Sequence, residues 1–196
     1  MKLTSRHALV TVGALSAGLA ACGGSSQTSP AGSASGSPSA SSTSLFTSTD
    51  FTASIPSGWS DQTTNESAVT AVSVSGTVLM LLIAPPSFTD RVNEHIDVSI
   101  VQQTVPNDAL SSYLETAAQH GATNLSPVEP FNLDHTAGLF ITYDLTAGGA
   151  MNKAEDMVVN HNNNTYDIVL NTSAADFDQQ LPALQQVLNT WKWTAQ

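Results

Sequence analysis

Cysteine, basic side chains and long apolar runs are all scarce in this 196-residue chain, and each scarcity removes a class of function. The single cysteine, Cys22, has nothing to pair with, and no C-x-x-C motif exists for thiol redox chemistry or zinc. Lys and Arg number 5 against 16 Asp and Glu, a net charge of −11. Such a surface repels phosphates and anionic lipids, which excludes nucleic acid as a partner. The charge-free run from Ala8 to Ala21 falls short of the ~20 apolar residues that a spanning helix needs. VLMLLIA, Val78 to Ala84, is shorter still and reads as a buried strand. Also missing are G-x-S-x-G, H-E-x-x-H, G-x-G-x-x-G and the P-loop, so no nucleophile elbow, metalloprotease helix or phosphate cradle is on display.

What is present starts at the N-terminus. Lys2 and Arg6 precede the apolar stretch, and residues 1–21 together have the form of a cleaved secretory signal. Leu19-Ala20-Ala21-Cys22 then resembles the bacterial lipobox, where a signal peptidase cuts before a cysteine whose sulfur has received a diacylglycerol. Small residues at 20 and 21 suit a narrow protease subsite, and cysteine is the one strong sulfur nucleophile. The plain alternative is an ordinary signal followed by a free thiol, which would be an oxidation liability. Lipid attachment at Cys22, as in palmitate-labelled lipoproteins, is the expectation. At ~0.8 kcal/mol per buried CH₂, two or three acyl chains would hold the chain on the outer face of the cell membrane.

Residues 22–44 follow as the lipidated cysteine and a tether. Positions 23–44 contain ten Ser, four Gly, three Ala, two Thr, two Pro and one Gln, with no charge. Nothing there buries enough surface to offset ordering entropy, so the sequence predicts a disordered spacer with an average span of roughly 25 Å. Its Ser, Thr and Pro also fit O-linked glycosylation, which intact mass would reveal. Residues 45–196 are the right size for one domain. With Lys2 and Arg6 removed, the mature chain keeps three basic residues against sixteen acidic ones, a net −13.

The domain reads as α+β, a largely antiparallel sheet packed by helices. Phe51, Ala53 and Ile55 mark a strand that Pro56 ends, and Ser57-Gly58 makes a turn before Trp59. Val69–Val74 and Val78–Ala84 read as a hairpin broken at Ser75-Gly76-Thr77. His95–Thr104 alternates at Ile96, Val98 and Ile100, one face dry and the other wet. A helix follows from an Asn107-Asp108 cap to Gly121, with Leu110, Tyr113, Leu114, Ala117 and Ala118 in one stripe. Strands are expected over Pro127–Leu133, Leu139–Thr146 and Ala154–His161, then a hairpin through the Asn-rich turn to Tyr166–Asn171. The last helix, regular after Asp176, places Phe177, Leu181, Leu184, Leu188 and Trp191 in a core-facing seam. Pro182 is expected in its first turn, and Lys192 and Trp193 at its end.

Candidate chemistry is sparse. His95, His120, His135 and His161 share no helical spacing that would gather a metal, and no cofactor is expected. Asp134 with Asp144, or Glu155 with Asp156, are possible carboxylate pairs, but they read more simply as a solvated acidic surface. Trp59 and Trp193 are the candidate ligand-binding side chains, since indole stacks on acyl chains and sugar faces. The simpler reading places Trp59 and Trp191 in the core.

The lipobox, the Ser/Gly/Pro tether, the Phe51-to-Trp59 element FTASIPSGW and a terminal helix carrying Phe177 and Leu188 before Trp191 resemble the LpqN/LpqT lipoproteins of mycobacteria and related actinobacteria. The resemblance implies a PsbP-like α/β/α sandwich and a lipid-anchored protein of the cell envelope that binds rather than catalyses. Two roles are then open: a hydrophobic cleft for an envelope lipid or glycolipid, or an assembly factor docking on a membrane protein. A hydrolase with no visible motif is the third.

Overall fold

The computed structural model describes residues 44–72, 76–85, 94–147 and 149–194. The expected signal, Cys22 and the expected tether up to residue 43 lie outside the described residues.

Ten strands and three α-helices run in the order β1 Ser44–Thr47, β2 Phe51–Ile55, β3 Ser60–Asp61, α1 Glu66–Val72, β4 Gly76–Ile83, β5 His95–Val101, α2 Leu110–Glu115, β6 Glu129–Leu133, β7 Thr136–Ala147, β8 Ala150–His161, β9 Asn164–Ser173, α3 Phe177–Thr190 and β10 Lys192–Trp193. The main sheet has seven antiparallel strands in the order β3-β4-β5-β9-β8-β7-β6, and a second sheet of three has the order β1-β2-β10. Antiparallel neighbours need only tight turns, and the sequence supplies them. Asn162 and Asn163 close the β8–β9 hairpin at φ 47° and 62°, and Asp134 and His135 close β6–β7 at 43° and 69°.

The main sheet divides two cores. On one face Met80, Leu82, Ile96, Val98, Ile168 and Leu170 pack against Phe177, Leu184 and Val187 of α3 and against Phe51 and Trp191. The Phe51 and Trp191 rings stack 3.8 Å apart, joining the small sheet to the end of α3. On the other face Ile141, Tyr143, Ala154 and Val158 pack against Leu110 and Leu114 of α2. A domain with helices on both faces of a mostly antiparallel sheet is the α+β sandwich expected above.

Several local expectations are corrected. Residues 66–72 form a helix, not the first arm of a hairpin. The Asn65 carbonyl accepts the Val69 amide at 3.0 Å, and its side chain accepts the Ala68 amide at 3.3 Å. That cap outweighs the β-propensity of the valines. Gly76 serves close approach rather than a turn: a Cβ there would stand 2.1 Å from the Ile100 carbonyl oxygen across β4–β5. The helix after Pro106 is α-helical only over Leu110–Glu115, with 3₁₀ turns on either side, and Gly121 ends it at φ 94°. In α3 the fully buried positions are Phe177, Gln180, Leu184 and Val187, so Leu181 and Leu188 sit at the flank of the seam. Pro182 lies in the second turn of α3. Pro182 removes the helical donor to the Asp178 carbonyl, and both residues are exposed, where the loss costs least. Trp191 adopts an extended ψ of 134°, and Lys192–Trp193 leave the helix to pair with Thr52 and Phe51.

Candidate functional site

The largest departure from the sequence reading is the second face of β5. Alternation at Ile96, Val98 and Ile100 predicts a wet opposite face, yet His95, Asp97 and Ser99 are buried there, Asp97 at 2 % exposure. Across the sheet the same face carries Asp167 of β9 and Asp156 of β8. The registers Asp97↔Val169 and Asp156↔Val169 set the first and last on either side of one residue, and Ser99↔Asp167 places the third a step away. Alternation within a strand thus sends three carboxyls to one side while their neighbours enter the α3 core.

Over this floor the sheet, α2 and the end of α1 line a half-open cavity of about 500 Å³. Its lining includes His95, Asp97, Ser99, Tyr113, Tyr143, Asp156 and Asp167, with Ala71, Val72, Leu114, Ala117 and His120 around them. The segment leading into α2 is pinned to the β8–β9 hairpin. Asn160 donates to the Val105 carbonyl at 2.8 Å and to Asn107 Oδ1 at 2.7 Å, and accepts from Thr165 Oγ1 at 2.6 Å. Thr165 in turn receives the Val105 amide at 2.8 Å. This network explains why Asn107 does not cap its helix: its side chain is engaged elsewhere.

Within the cavity the polar groups form a chain. The Tyr113 hydroxyl donates to Asp167 Oδ2 at 2.9 Å, and the Tyr143 hydroxyl donates to Asp156 Oδ2 at 3.1 Å. Burial raises Asp156 to about 6, and the Asp167 and Tyr143 hydrogen bonds hold it from rising further. Asp167 is half-buried with its Oδ1 shielded from water; that desolvation, then the charge of and hydrogen bond to Asp156, raises its carboxyl well above the usual carboxylate range. Two carboxyls in contact cannot both ionise cheaply, so they share a proton. Both phenols are pushed far up, first by burial and then by the neighbouring acids, so they stay donors. His95 Nε2 lies 3.4 Å from Asp97 Oδ1. Among the described residues no Lys or Arg lines the cavity to offset the acids.

A second cavity of about 420 Å³ lies beside it, lined by Ser60, Gln62, Ser67, Ala68, Ala71, Val72 and Ile83, with no ionisable group. Ala71 and Val72 line both.

The residues singled out from sequence fall elsewhere. Trp59 belongs to the α3-side core. Trp193 packs against that core, its ring parallel to His161 at 4.0 Å and its Nε1 donating to the Leu133 carbonyl at 3.3 Å. Neither indole borders the acid-floored cavity. The paired acids also separate. Asp134 accepts from Lys192 Nζ at 2.6 Å and from the Trp193 amide at 2.9 Å, which hold its carboxyl below the usual range. Asp144 accepts from Asn124 at 2.7 Å, and Glu155 faces away from Asp156 on the same strand. Of the histidines, His95 and His120 border the cavity. Among the described residues no group of three or more His, Cys, Asp or Glu is arranged to hold a metal ion, and no helix is long and apolar enough to cross a membrane. A signal for the missed site is present in the sequence. Asp97 in IDV and Asp167 in YDI each set a lone acid between apolar or aromatic residues within a strand, whereas Asp156 follows Glu155 and gives no such sign.

No family model matches the chain, and no curated protein matches it in sequence. Solved structures do. The domain is similar to the crystal structure of LpqN, involved in cell envelope biogenesis of Mycobacterium tuberculosis, with a TM-score of 0.54 at 10 % identity over 80 % of this chain and 88 % of that one. It is also similar to the solution structure of the cyanobacterial PsbP, CyanoP, of Synechocystis sp. PCC 6803, with a TM-score of 0.50 at 14 % identity over 83 % and 99 %. The sandwich described here therefore shares its fold with LpqN and with CyanoP.

Proposed function

We propose that this chain is a cell-envelope binding module, lipid-anchored through Cys22, that holds an envelope lipid or glycolipid without transforming it. The observation that carries the reading is the pair of cavities meeting at Ala71 and Val72. The acid-floored one offers hydrogen-bonding groups to a polar head, and the neighbouring one offers an uncharged surface to the start of a tail. Amphiphile sites need this combination of an apolar wall and a few fixed polar groups. The expected hydrophobic cleft is thus replaced by a two-part site whose larger chamber is polar. The envelope role is supported by the fold shared with LpqN, which is involved in cell envelope biogenesis. A binder rather than a catalyst is supported by the carboxyl pair itself, which is capped by two phenols and faces no nucleophilic serine or cysteine within the cavity other than Ser99.

Native mass spectrometry of the chain purified from its own envelope tests this reading. A co-purifying amphiphile whose retention falls when Ala71 is replaced by Trp is the expected result. An empty domain that captures a membrane protein instead would move the function to the docking role.

A further inference from the structure

Among the described residues the two sheets end in four edge strands, and three of these are guarded. β10 is closed by Asp134, whose carboxylate accepts the outward Trp193 amide at 2.9 Å. β6 carries Pro130, which has no N–H to offer, beside the exposed Glu129. β3 is only two residues long, and the β4 register behind it shifts between Val78 and Met80. The fourth edge, β1, has none of these devices: SLFT carries no proline and no charge, and its register with β2 is unbroken.

Main-chain geometry leaves β1 paired on one side. The Ser54 amide donates to Thr190 Oγ1 at 2.9 Å, so it points away from β1. Leu45 stands opposite Ser54, and its own amide and carbonyl therefore point outward, away from β2. The same alternation turns the Thr47 backbone outward, while Ser44 and Phe46 bond to β2. Among the described residues no backbone hydrogen bond reaches Leu45 or Thr47 from beyond the sheet. The side chains match this division. Phe46 enters the core, whereas Leu45 is 63 % exposed. An unpaired edge that also shows an apolar side chain is a template for another strand.

Charge and chain path indicate which strand. From residue 23 to residue 60 the sequence holds one charged side chain, Asp50, and that carboxylate accepts the Tyr166 hydroxyl at 3.2 Å. On a chain of net charge −11, β1 and β2 are thus an uncharged strip, where a second acidic copy can approach without opposed like charges. The chain outside the described residues ends directly at Ser44. Copies anchored through Cys22, as proposed above, would present β1 at the end of their tethers over one membrane.

We infer that β1 is a self-association edge, on which the β1 of a second copy docks antiparallel. Leu45 of each copy stands opposite Thr47 of the other, so the outward amides and carbonyls of both residues find partners. The two three-stranded sheets become one. A four-residue edge buries far less than the roughly 1,200 Å² of a stable interface, so the pair is weak and forms where a shared membrane concentrates the copies.

Two full chains with different tags, one carrying Leu45→Cys and the other Thr47→Cys, are co-expressed in one cell and oxidised. The pairing sets these two positions opposite each other, within disulfide reach. A disulfide joining the two tags should exceed, about fivefold or more, that from a pair of chains carrying Thr70→Cys on the exposed side of α1. A pair of unaltered chains gives the background from Cys22. A yield no higher than these controls would overturn the inference, as would a Leu45→Cys chain trapped on a different protein instead. A second measurement needs no added cysteine: one tag should capture the other from solubilised membranes, and Leu45→Lys in both chains should reduce that capture to background. Unchanged capture would equally overturn the inference. Leu45 is exposed, so its replacement should leave circular dichroism as it was. Membrane and soluble fractions are read separately, and the same excess over the controls is required in whichever holds the chain. Failure of the Cys22 anchor is thereby scored apart from failure of the β1 edge.

Discussion

Asp167 is the residue on which the site's energetics turn. An acid whose folded-state pKa is raised keeps its proton while the unfolded chain, with carboxyls near 3.8, has given it up. Below that value both states are protonated and no penalty arises. As pH climbs from about 4 towards neutrality, stability therefore falls until the folded pair itself ionises, and is flat beyond. For Asp156, raised from 3.8 to about 6, the penalty is on the order of 3 kcal/mol. Glu155, raised by burial, adds a smaller slope of the same sign, and Asp134, held low, titrates below this window. Guanidinium unfolding should thus give a higher midpoint at pH 5 than at pH 8. Asp167→Asn, whose amide can donate to Asp156 as the shared proton does, should flatten most of that slope and gain ~1–3 kcal/mol at pH 8. A wild-type midpoint that rises from pH 5 to 8 would contradict the shared proton. The pairing of the carboxyls was not legible in the sequence, because a lone Asp in a strand hints at burial but does not disclose which carboxyl the neighbouring strand will set beside it.

At the scale of elements, packing decided what local pattern left open. The run Val69–Val74 suits a strand by composition, but Asn65 caps a helix there, and β4 finds its partners in β3 and β5. Gly76 is the cost of that arrangement. Gly76→Ala would press its methyl onto the Ile100 carbonyl, and the expected loss is ~2–3 kcal/mol, read as a shift in denaturation midpoint. The other exposed dependence is Asn160, which ties the entry of α2 to the β8–β9 turn. Asn160→Ala should cost ~1–3 kcal/mol and loosen the wall of the cavity, visible as faster amide exchange in α2 with little change in α3. Exchange rising equally in both helices would deny the network this local role. The β8–β9 hairpin, by contrast, was readable directly, since the Asn-rich turn and the alternation around it constrain φ and facing residues without distant help.

For the whole molecule, the proposed function joins an anchor to a domain, and the anchor has its own test. Cys22→Ala should abolish metabolic labelling with a palmitate analogue and move the chain into the soluble fraction. Continued labelling would overturn lipid attachment at that residue. The acidic excess, with three basic side chains after Cys22, disfavours electrostatic attachment to anionic lipids, so the proposed membrane contact rests on the proposed anchor. Sequence alone determined the fold class, the β8–β9 hairpin and most strand positions in the core on the α3 face, because periodicity two and turn chemistry act over a few residues. The site was decided only by the tertiary structure. Whether the polar face of β5 meets water or a roof depends on α2 crossing it. Whether Asp97, Asp156 and Asp167 act as surface charges or as a buried group depends on the register of three strands far apart in the chain. Desolvation and charge proximity are properties of that assembled space, and no single segment carries them.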